Sequence, residues 1–71
     1  MEILGRTSTE TYNAIWFGYD GFEWGINENF NPNTLMCDGD KCDNNADSRD
    51  IAELIKNKVE IFGGVNMIPW I

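Results

Sequence analysis

Six acids crowd the stretch from Asp38 to Glu53: Asp38, Asp40, Asp43, Asp47, Asp50 and Glu53. Only Lys41 and Arg49 oppose them. Carboxylates at this density suggest three kinds of chemistry: holding a cation, moving a proton, or presenting charge to a partner. Calcium takes six to eight oxygens, and an EF-hand loop supplies them at fixed positions. Counted from Asp38, Asp40 fits the third position and Asn44 the seventh. Cys42 then falls at the fifth, Asp43 replaces the glycine of the sixth, and Arg49 replaces the acid of the twelfth. The motif is broken, and no metal or other cofactor is expected. A looser oxygen site from Asp38, Asp40, Asp43 and Asp47 is retained as a metal-module alternative. The two cysteines, Cys37 and Cys42, cannot complete a tetrahedral zinc site in a chain without histidine. They read most simply as two free thiols, with a small disulfide loop in an exported protein, or a four-thiolate site shared across a dimer, as the alternatives.

Proton transfer fares no better. Twelve acids in 71 residues make close pairs by chance, and there is no imidazole to act as base. No phosphate loop and no nucleophile elbow are present. The chain reads as a non-enzyme. What remains is charge. The formal net charge of −7 leaves little with which to neutralise phosphates, so direct nucleic-acid binding is not expected. An acidic ridge instead suits a basic groove on a larger protein, because opposite potentials speed encounter and select the partner. Its plainer role is a solvated, solubilising face. Trp16 and Trp70 are the candidate aromatic anchors beside it.

The elements that must position these groups are legible. Two aromatic-rich runs flank Asp20-Gly21, a favoured hairpin turn. A two-residue turn places Tyr19 opposite Phe22, Phe17 opposite Trp24 and Ile15 opposite Ile26, all on one face. Gly18 and Glu23, Trp16 and Gly25, and Ala14 and Asn27 then pair on the other. Trp16 is expected to lie across Gly25, with an exposed anchor as the alternative. Residues 31–46 read as an Asn- and Asp-rich acidic loop. A helix over 47–62 follows, capped by Asp47 or Ser48. Ile51, Leu54, Ile55 and Val59 form one face, and Gly63-Gly64 stop it. An earlier end near Asn57 is the alternative, because β-branched residues begin at Val59. The tail, residues 65–71, is apolar and reads as a short strand docked on the domain's own core, or else on a partner chain. Met1 to Leu4 can add an edge strand.

The expected fold is α+β: a small single domain with an antiparallel β-hairpin, one helix packed on the sheet and a short C-terminal strand. In size, acidity and lack of catalytic residue types the chain is similar to the small inhibitor proteins that phages direct against host defence or polymerase machinery, nucleic-acid mimics among them. The likeness is compositional and carries over no residue. It implies a binding protein that blocks a basic, nucleic-acid-binding site on a host protein. The alternative is an assembly module that self-associates through its apolar tail, with a homodimer as the simplest product. No apolar run approaches the ~20 residues that cross a bilayer. The opening residues do not resemble a signal peptide, so a cytoplasmic setting is expected.

Overall fold

A computed structural model describes residues 1–8, 10–38 and 47–71. Four antiparallel strands form one sheet in the order β1-β2-β3-β4: β1 Glu2–Ser8, β2 Asn13–Tyr19, β3 Phe22–Asn27 and β4 Met36–Asp38. One helix, α1, spans Ser48–Phe62 and packs on the sheet. The α+β architecture expected from the sequence is therefore present.

The β2–β3 register is the one that the two-residue turn dictates. Tyr19 pairs with Phe22, Phe17 with Trp24, Ile15 with Ile26 and Trp16 with Gly25. Asp20 and Gly21 take φ of 53° and 83°, the left-handed pair that such a turn requires. The helix-side face of the hairpin supplies Ile15, Phe17, Trp24 and Ile26. Ile51, Ala52, Ile55 and Val59 of α1 close over it, Ala52 taking the place expected of Leu54, which is exposed. Asp47 caps α1, its side-chain oxygen accepting from the Arg49 N–H at 3.1 Å. The helix ends where the glycines stop it. The Gly63 N–H donates to the carbonyls of Val59 and Glu60, and that of Gly64 to Val59.

Three departures from the sequence reading have physical causes. The residues read as a single loop from 31 to 46 contain a 3-10 turn at Pro32–Thr34 and the strand β4. Asn31 starts the turn by accepting from the Asn33 N–H, and the chain then runs back along β3. Second, the edge strand expected at Met1 to Leu4 forms but runs on to Ser8 as β1, and β4 covers the hairpin's other edge. Third, the expected C-terminal strand shrinks to one parallel bridge between Trp70 and Arg6, preceded by a 3-10 turn at Val65–Met67. Pro69 has no N–H to give a ladder, and only its carbonyl is used, accepting from Arg6.

The cysteine reading is also corrected: Cys37 is disulfide-bonded. It lies on β4 opposite Trp24, and the chain's one other cysteine, Cys42, falls outside the described residues. A disulfide weighs against the reduced, cytoplasmic setting expected above, since such bonds persist mainly in oxidising surroundings. Among the described residues no helix is long and apolar enough to cross a membrane.

Candidate functional site

Pairing of β1 on β2 decides which groups share the face that α1 does not cover. Glu2 pairs with Gly18, Gly18 with Glu23, and Glu23 with Asp38. Directly opposed residues point to the same face, so one row across all four strands reads Glu2, Gly18, Glu23, Asp38. All three acids are exposed. Glu2 and Glu23 stand two strand spacings apart, about 10 Å, with a residue that has no side chain between them. A Cβ built at Gly18 would have no neighbour closer than the Glu2 carbonyl at 4.0 Å. Gly18 is thus the open floor of a notch walled by Glu2 and Glu23. With Asp20 at its end, that notch lines an open hollow of about 460 Å³.

Asp20 also borders a second hollow of about 240 Å³, between the hairpin turn and the start of α1. Its other walls include Tyr19, Phe22, Trp24, Asp47 and Asp50. The Trp24 indole is fixed there by donating to the Tyr19 carbonyl at 2.9 Å, and the two rings meet edge to face. One end of the molecule therefore gathers Glu2, Asp20, Glu23, Asp38, Asp47 and Asp50. Of the described cations, Lys58 sits with Met1 and Tyr19 on the flank of α1 next to this end, and the other three lie elsewhere. Arg6 is buried and paired with Glu28, the one ion pair among the described residues. Arg49 and Lys56 line a hollow on the other flank of α1.

The predicted site residues divide accordingly. Asp38, Asp47 and Asp50 belong to the acidic end. Asp40 and Asp43 fall outside the described residues, as does most of the loop to which the calcium alternative was tied. Glu53 does not join them: it borders the hollow that holds Arg49 and Lys56. Trp16 lies on the open face one row in from the acids. Its ring covers Gly25 so closely that a Cβ there would stand 2.9 Å from it, and its N–H donates to the Thr7 hydroxyl at 2.7 Å. The aromatic-over-glycine reading is therefore the one the geometry shows. Trp70 is 54% exposed and far along β1 from Glu2. The Arg6 guanidinium carbon lies 4.1 Å from its ring centre, which makes it a lid on a buried cation.

Sequence reasoning missed Glu2, Asp20 and Glu23. The hairpin register already set Gly18 opposite Glu23, and Asp20 was visible in the turn. Only Glu2 needed the long-range β1 pairing. No protein-family model, curated protein or solved structure matches the chain, so its residues alone carry the functional reading.

Proposed function

We propose that the protein is a small non-enzymatic binding protein whose acidic, open sheet face docks on and blocks a basic surface of a larger protein. A nucleic-acid-binding site is the kind of surface that combines such cationic density with exposure. The observation that carries the reading is the Glu2–Gly18–Glu23–Asp38 row. Glu23 and Asp38 are like charges directly opposite on neighbouring strands, an arrangement that costs stability. A sheet selected for stability alone has no use for it. The Gly18 floor adds shape to charge, since it leaves room for a lysine or arginine side chain between two carboxylates. In biological terms this is an inhibitor of the kind phages use against host nucleic-acid machinery. In a reducing host cytoplasm the Cys37 bond would open. The Glu2, Gly18 and Glu23 positions, fixed by the β1–β2–β3 ladder, would remain.

Capture from a host lysate tests this on two columns, one carrying the protein and one carrying Glu2→Gln/Glu23→Gln/Asp38→Asn. The reading expects nucleic-acid-binding proteins on the first column, released by high salt and absent from the second. Equal retention on both columns overturns it.

A further inference from the structure

A different surface points to a different partner. The flank of α1 beside the N-terminus is apolar and open: Leu54 is 47% and Ile61 83% exposed. With Met1, Tyr19 and Lys58 they line a groove of about 340 Å³. The tail does not cover it. Ile68 is buried in the core, and Trp70 and Ile71 are bonded along Arg6. On a helix of 3.6 residues per turn, Asp50, Leu54 and Lys58 succeed one another at about 40° steps, and Ile61 returns to within about 20° of Leu54. One stripe thus reads acid, leucine, base, isoleucine. Asp50 and Lys58 are equidistant from Leu54, four residues to either side, and both are exposed. Neither is in an ion pair among the described residues.

That spacing is its own complement under a two-fold axis. The geometry points to a second copy of this chain as the occupant of the groove, with the two α1 helices antiparallel and crossing at Leu54. Asp50 of each copy then faces Lys58 of the other, so one contact forms twice, as an isologous interface requires. Sliding the helices to set Leu54 on Ile61 would bring the two Lys58 side chains together, and charge therefore selects the Leu54-centred register. This goes beyond the proposed function and does not depend on it. The Glu2–Gly18–Glu23–Asp38 row lies on the opposite face of the sheet and stays open in the dimer.

Sedimentation of the full chain over micromolar to millimolar concentration tests the pairing, with Asp50→Lys, Lys58→Asp, the double reversal and Leu54→Glu. All three positions are exposed, and thermal melts check that each variant folds. Asp50→Lys raises the net charge from −7 by two units, and Lys58→Asp lowers it by two. General repulsion would therefore make the first associate more tightly and the second less. The proposed contact requires both to weaken, each by about tenfold in dissociation constant. The double reversal must recover the wild-type value, and Leu54→Glu must abolish association. A monomer at every concentration overturns the proposal. So does a dimer in which Asp50→Lys binds as well as wild type or the double reversal fails to rescue.

Discussion

The two faces of one sheet are built on different terms. On the side under α1, Ile15, Phe17, Ile26 and Ile55 are each 0% exposed. These apolar side chains are held by their neighbours' shape. On the other side a single ring, Trp16, covers the centre, and the row beyond it holds three carboxylates around a glycine. The first face is organised for burial. The second keeps opposed charges and an unfilled floor that a stability-driven sheet would have replaced with β-branched pairs. The difference teaches where selection for something besides folding has acted.

Substitutions should separate the faces by size and by sign. Phe17→Ala empties the buried face and should cost about 3–5 kcal/mol, enough to unfold much of a domain this small in a urea titration. Gly25→Val drives a side chain into the Trp16 ring and should cost about 1–3 kcal/mol by the same measurement. Arg6→Ala tests the latch between the faces. A bulge between Ile3 and Gly5 turns Arg6 to the helix side, where its Nε donates to the Ile68 carbonyl at 2.9 Å and its Nη1 pairs with Glu28 at 3.2 Å. Losing both should cost about 2 kcal/mol and expose the tail to carboxypeptidase. A tail that stays protected would show that the latch is not what holds it. On the open face the sign reverses. Glu23→Gln relieves the repulsion with Asp38 and should stabilise by about half a kcal/mol while weakening a cationic partner.

Much of this contrast was legible before any coordinates. Local signals sufficed for the hairpin, because Asp20-Gly21 fixes the turn and the alternation of side chains then fixes both faces. They also sufficed for α1, whose cap and glycine stop are adjacent in the chain. What stayed hidden was long-range. Nothing local says that Met36–Asp38 returns to β3, or that a one-residue bulge at Leu4 lets Glu2 share a row with Gly18 while Arg6 turns inward. Sequence alone therefore sets the acidic ridge along the chain, from Asp38 to Glu53. The structure draws it across the strands and leaves Glu53 on the other flank of the helix.

Gly18→Val tests the central claim most directly. The nearest neighbour of its Cβ is the Glu2 carbonyl at 4.0 Å, and valine suits a strand, so the fold should be retained or slightly stabilised. The measurement is a titration of an oligolysine peptide into wild type and variant, followed by tryptophan fluorescence at low salt. The account predicts that wild type binds and that filling the floor weakens binding about tenfold with every carboxylate still in place. Equal binding by the two proteins would contradict it, and would reduce the notch to a patch of unshaped charge.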